Sequence, residues 1–200
     1  MTDFRTWLAE QTRPAHAAIE RELALEGDVS LDRYIAYLRA MHAVIAHVEP
    51  AFEADARLRA FDLPARRKRH RLERDLRHFG ADPIASPRVL PDGLAARVGW
   101  AYVLEGATLG GRVLYRRLAP RWSLTPERGG AFLAGHGDRT GEMWRAFVEA
   151  LNRTAFTAEE KKACVAGAAQ AFSAIAERFR ASVAGANPGV DRQRRRGLAA

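Results

Sequence analysis

The stretch Trp100-Ala101-Tyr102-Val103-Leu104-Glu105-Gly106-Ala107-Thr108-Leu109-Gly110-Gly111-Arg112-Val113-Leu114 limits what this chain can fold into more than any other. It is rich in helix formers and meets no proline before Pro120, yet three glycines interrupt it. An interior glycine costs a helix about 1 kcal/mol relative to alanine. Gly106 and Gly110 lie one turn apart on the same face, which leaves a strip of bare backbone. Either another helix packs closely on that strip or something flat or bulky lies against it. A phosphate-binding loop is excluded. Gly106 and Gly111 have its outer spacing, but Arg112-Val113 stands where Lys-Ser/Thr is needed, and no strand precedes.

The other segments with a clear period also read as helix. Phe4, Trp7, Leu8, Gln11, Ala15, Ile19 and Leu23 recur at spacings of three and four. Pro14 has no N–H and clashes with the preceding turn, which predicts a kink or a fresh start capped by Thr12. Gly27-Asp28-Val29-Ser30 predicts a turn, with Ser30 as the next cap. Leu31, Tyr34, Leu38, Met41, Ile45 and Val48 form a second stripe, which Pro50 kinks or ends before a short helix over 51–61. Leu63-Pro64 opens a basic helix that runs through His78-Phe79 and stops at Gly80-Ala81-Asp82-Pro83. Asp92 is the candidate cap of the glycine-bearing helix. Thr125-Pro126-Glu127 reads as a further start, for a segment with Gly135, Gly137 and Gly141 ahead of Met143, Trp144, Phe147 and Leu151. Thr157-Ala158-Glu159-Glu160 is a capping box for a last helix that ends near Ala184. No segment alternates as a strand would. The expected fold class is all-α, with one helical domain over 1–185 and a basic, disordered tail over 186–200.

A chain of 200 residues is long enough for one well-buried core. Its 48% hydrophobic and 28% charged residues fit a globular protein. Cys164 is the sole cysteine, so an intrachain disulfide and a cysteine-based metal site are excluded. No run is long enough to span a bilayer, and the N-terminus lacks the apolar core of a signal peptide, so a cytoplasmic location is expected. The net charge of +8 favours anionic partners. Arg66-Arg67-Lys68-Arg69-His70-Arg71, followed by Glu73-Arg74-Asp75, reads as a solvated helix face with mixed pairs. Arg192-Gln193-Arg194-Arg195-Arg196 lies in the tail. Neither cluster carries interleaved aromatics, so nucleic acid is not the expected partner.

Three segments then line up in order. They are Thr12-Arg13-Pro14-Ala15-His16-Ala17-Ala18-Ile19-Glu20, the glycine stretch from Tyr102 to Gly111, and Phe132-Leu133-Ala134-Gly135-His136-Gly137-Asp138-Arg139-Thr140-Gly141-Glu142-Met143-Trp144. Together they resemble the bacterial haem oxygenases, especially the biliverdin-producing type found beside bacterial phytochromes. The similarity extends roughly from Phe4 to Phe179.

The resemblance implies a single-domain helical bundle with haem between a proximal N-terminal helix and a kinked distal helix. His16 falls on the family's proximal histidine, the axial ligand to haem iron. A lone helical histidine is otherwise an ordinary surface or core residue. Glu20, one turn later, can reach back to the imidazole and fix its tautomer, or can simply face solvent. Gly106, Gly110 and Gly111 would let the distal helix lie almost against the porphyrin, steering oxygen toward one edge of the ring. Arg13, Arg139 and Arg145 are candidates for the haem propionates, and Tyr102 either donates to one or belongs to the core.

Two positions depart from the family's pattern. Ala107 stands where mammalian-type members carry an aspartate that organises water, which leaves the proton-delivery route open. His136 stands between two glycines, where relatives often have tyrosine. The implied reaction is O2-dependent cleavage of haem, both cofactor and substrate, to biliverdin, carbon monoxide and ferrous iron. No nucleotide-binding fingerprint is present, so electrons come from a separate reductase or ferredoxin. An acidic electron-transfer protein suits the basic chain, and a bacterial phytochrome is the candidate acceptor of biliverdin. The rival readings are a non-catalytic haem-binding or haem-transfer protein, a di-iron carboxylate bundle and a nucleic-acid-binding helical module. The Glu-x-x-His pairs that a di-iron site needs are missing.

Overall fold

The computed structural model describes residues 3–87 and 90–185. Its helices are α1 (Phe4–Leu23), α2 (Leu31–Ala54), α3 (Arg69–His78), α4 (Leu94–Trp122), α5 (Ala131–Ala134), α6 (Thr140–Arg153) and α7 (Ala158–Ala184). Short 3-10 turns cover Ala56–Phe61, Leu63–Arg66 and Gly137–Arg139. No strand forms among the described residues. The tail over 186–200 lies outside them.

α7 is the organising element, because α4, α2 and α1 all pack on it. Its crossing with α4 is built on two glycines. A methyl added at Gly99 would lie 2.1 Å from the Cys164 carbonyl oxygen, and one at Gly167 would lie 2.3 Å from that of Ala96. The two backbones therefore touch. Cys164 is buried in this crossing, and burial pushes its thiol up to about 12. Close helix packing thus occurs, two turns before the strip of Gly106 and Gly110 on the same helix.

Local signals set several helix ends as expected. Ser30 accepts from the Arg33 amide at 3.2 Å, starting α2. Thr157 accepts from the Glu160 amide while Glu160 accepts from the Thr157 amide, a complete capping box opening α7. Other expectations are corrected. α1 runs unbroken through Pro14, and the Thr12 hydroxyl donates back to the Leu8 carbonyl at 2.8 Å instead of capping. Pro14 and Glu10 are exposed, so water can serve the carbonyl that the missing N–H leaves free. α2 likewise continues through Pro50 to Ala54. Gly93, not Asp92, precedes α4, with φ of 76° and no side-chain cap.

The segment opened by Thr125-Pro126-Glu127 is a closed turn, in which the Arg128 and Gly130 amides donate to the Thr125 carbonyl. The next helix waits until Ala131 because its cap comes from far away. Asp75 of α3 accepts the amides of Ala131 at 2.9 Å and Phe132 at 2.8 Å. The basic helix starts at Arg69, not at Leu63-Pro64, and its run is not wholly solvated. Arg66 and Lys68 are 5% and 4% exposed.

Candidate active site

Between α1 and α4, floored by Phe172 and Ile175 of α7, lies a cavity of about 470 Å³. Sites of this size hold small organic ligands. Much of the wall is apolar, with Ile19, Leu23, Met41, Val103 and Leu114 upon it.

His16 and Glu20 of α1 both line the cavity. His16 Nδ1 lies 3.3 Å from Glu20 Oε2, as an i, i+4 pair on one helix face allows. The imidazole meets the Phe172 ring edge-on, with centroids 5.6 Å apart. With Nδ1 turned to the carboxylate, Nε2 is the nitrogen that points away from it. The two side chains are 57% and 60% exposed, so the edge of the pair is open.

Across the cavity, α4 presents Tyr102, Gly106, Ala107, Gly110 and Gly111. A methyl at Gly106 or Gly110 would meet nothing within 4 Å. Gly111 differs, since its methyl would touch Leu133 of α5 at 3.5–3.6 Å, an ordinary contact distance. The next hydroxyl along α4 is turned away, because Thr108 Oγ1 donates to the Leu104 carbonyl at 3.0 Å. An imidazole on one wall and bare backbone turns on the other fit a flat, metal-bearing ring.

The predicted arginines are placed elsewhere. Arg13 is exposed on α1. Arg139 lies 3.5 Å from Glu142, and Arg145 donates to the Gly141 carbonyl at 3.4 Å. None of the three lines the cavity, whereas Arg5 and Arg117 do. On α6 it is Trp144 that reaches the wall, its ring tilted against that of Tyr102 with centroids 5.9 Å apart. Arg145 is turned about 100° away from it around the helix. His136 also stands apart, with Nδ1 3.2 Å from the Arg71 guanidinium. Burial, then the neighbouring Arg71, holds it down at about 4.

Two features had escaped the sequence reading. Tyr37 of α2 lines the cavity, although in sequence it is one aromatic beside an apolar stripe. Behind α4, Glu105 receives a hydrogen bond from Arg66 at 2.7 Å and another from Lys68 Nζ. Arg66 also donates to the carbonyls of Phe61 and Met143. Burial pushes the Glu105 carboxyl up, but Lys68 and Arg66 outweigh it and hold the group below the usual range. A charge buried in an apolar run, one residue before Gly106, was the available signal.

Comparisons with known proteins agree with this geometry. The haem oxygenase family profile matches residues 88–181. A haem oxygenase of Xanthomonas campestris is 30% identical over 149 residues, covering 74% of this chain and 89% of that one. The haem oxygenase PigA of Pseudomonas aeruginosa is 28% identical over 148 residues, covering 72% and 74%. Among solved structures, the NO- and CO-bound haem oxygenase of Neisseria meningitidis superposes with a TM-score of 0.80 at 27% identity, covering 94% of this chain and 96% of that one. The haem oxygenase of Leptospira interrogans shares the fold, with a TM-score of 0.71 at 20% identity over 89% and 98%. Among the described residues no helix is long and apolar enough to cross a membrane. By sequence and by fold, the chain belongs to the haem oxygenase family, the oxidoreductases that degrade haem.

Proposed function

We propose that this chain cleaves haem with dioxygen and externally supplied electrons, yielding biliverdin, carbon monoxide and ferrous iron. One observation carries the reading: His16 and the bare turns at Gly106 and Gly110 line the same cavity. Haem, when bound, supplies the oxygen-activating chemistry. The chain supplies a ligand, a shape and a dry wall. His16 offers Nε2 to the iron while Glu20 holds Nδ1, fixing ring orientation and tautomer. Gly106 and Gly110 admit the ring close to the α4 backbone, and Gly111 continues that bare surface toward Leu133. Arg5 and Arg117, in place of Arg13, Arg139 and Arg145, meet the propionates from the cavity wall. Tyr102, whose hydroxyl sits beside Thr12, closes the cavity toward α1. Electrons arrive from a separate acidic reductase or ferredoxin, and a bacterial phytochrome accepts the biliverdin in the cytoplasm.

The test is a haemin titration of the purified protein and of His16→Ala. The wild type gains a histidine-ligated Soret spectrum, and the variant loses that signature. Reductant added in air then bleaches the wild-type Soret band as biliverdin absorption appears. A stable Soret band in reducing, aerobic solution would leave only a haem-binding protein on this fold.

A further inference from the structure

Two of the four tyrosine hydroxyls in this chain donate to backbone carbonyls. Tyr34 donates to the Gly129 carbonyl at 2.8 Å and Tyr115 to the Leu124 carbonyl at 3.3 Å. Tyr102 has Thr12 beside it. Tyr37 is 4% exposed, lines the cavity, and finds no acceptor for its hydroxyl among the described residues. Its hydroxyl is not sealed in the core but reaches the cavity, where water or a ligand is what can pair with it, and phenylalanine would fill the same space without that hydroxyl.

Its neighbours place it on the α4 side of the cavity, opposite His16. The Tyr37 ring packs on Phe132 with centroids 6.1 Å apart, and the next residue, Leu133, lies against Gly111. Met41, one turn further along α2, is the other α2 side chain on the wall and is apolar. The remaining polar groups there come from α1 and the loop after it (Arg5, His16, Glu20, Glu26), from α4 (Tyr102, Arg117) or from the Trp144 indole of α6, and every one of these residues is more exposed than Tyr37.

We propose that Tyr37 is the buried hydrogen-bond donor of this wall, giving its hydroxyl to a small oxygen-containing ligand held between the porphyrin and α4, where Ala107 leaves the cavity face of that helix without a carboxylate. Burial pushes the phenol well above the ordinary tyrosine range, so the group stays protonated and keeps its O–H to donate. It contributes a directed hydrogen bond and no net proton; the protons consumed in turnover enter from solvent. The proposal rests on reading the cavity as a haem site, and the experiment separates the two.

Wild type, Tyr37→Phe and Tyr102→Phe are each loaded with haemin, reduced and exposed to carbon monoxide, and the C–O stretch is recorded by infrared spectroscopy. A donor near the bound oxygen lowers that frequency. The expected result is a shift to higher wavenumber in Tyr37→Phe alone, with Soret titrations matching the wild type. Tyr37→Phe removes one cavity-facing oxygen without a protein partner, so its thermal midpoint should hold. An unchanged stretch in a haem-loaded Tyr37→Phe overturns this role and leaves the haem site standing. A wild type that takes up no haem overturns both.

Discussion

Gly106 and Gly99 lie two turns apart on the same helix, and an added methyl group separates them. At Gly106, as at Gly110, it would enter open cavity; at Gly99 it would lie 2.1 Å from a backbone oxygen of α7. Gly106→Ala and Gly110→Ala should therefore stabilise the haem-free protein by about 0.5–1 kcal/mol each through helix propensity. The same changes should weaken haem binding, because the methyl occupies the space a ring would take. Gly99→Ala, or Gly167→Ala across the crossing, should instead cost about 1–3 kcal/mol or more through overpacking. Thermal melts with and without haemin give both readings at once. Equal effects at Gly106 and Gly99 would mean that the bare strip is only a packing surface. The sequence showed that the strip must exist, and at i, i+4 spacing it also paired His16 with Glu20. It could not tell a packed glycine from an open one, since that depends on which helix crosses where. Tyr37 was hidden for the same reason: whether a tyrosine hydroxyl has a partner is a fact of three-dimensional neighbours.

Helix α4 carries the glycine strip on one side and a buried charge on the other. Removing one partner of such a cluster strands the remaining charges, which costs about 3–5 kcal/mol. Glu105→Gln keeps the shape but leaves Arg66 and Lys68 facing a neutral amide. It should lower the urea midpoint by an amount in that range, and Lys68→Met alone should cost less because Arg66 still satisfies the carboxylate. If Glu105→Gln is neutral, the three groups are better solvated than their burial shows. This clamp was illegible in the sequence because its members lie 37 and 39 residues apart. Arg66 and Lys68 sat in a basic run that looked like solvent-facing surface. Asp75 shows the same limit, since it caps α5 from more than fifty residues away. What was legible was local: the caps of α2 and α7, and the stripes of α1 and α2. The two prolines that promised breaks, Pro14 and Pro50, are exposed. There the lost hydrogen bond falls to water and packing of the buried face carries the helix through.

At the scale of the whole molecule, charge and site are separable. The cavity is lined by residues between Arg5 and Ile175, while the segment over 186–200 holds four arginines and one aspartate, three of the eight net positive charges. Long-range attraction to an acidic electron donor depends on total charge and its screening, with a Debye length of about 10 Å at 0.1 M salt. Haem affinity depends on contacts inside the cavity. A chain ending at Gly185 should then bind haemin as tightly as the full chain. Its second-order rate of reduction by an acidic ferredoxin should fall at low salt, by up to about tenfold. Raising the salt should bring the two proteins together, since the full chain has more attraction to lose. Stopped-flow reduction across a salt series measures both slopes. Identical rates at low salt would place the donor's landing site on the helical domain alone, and a loss of haem affinity on truncation would show that the last fifteen residues reach the cavity.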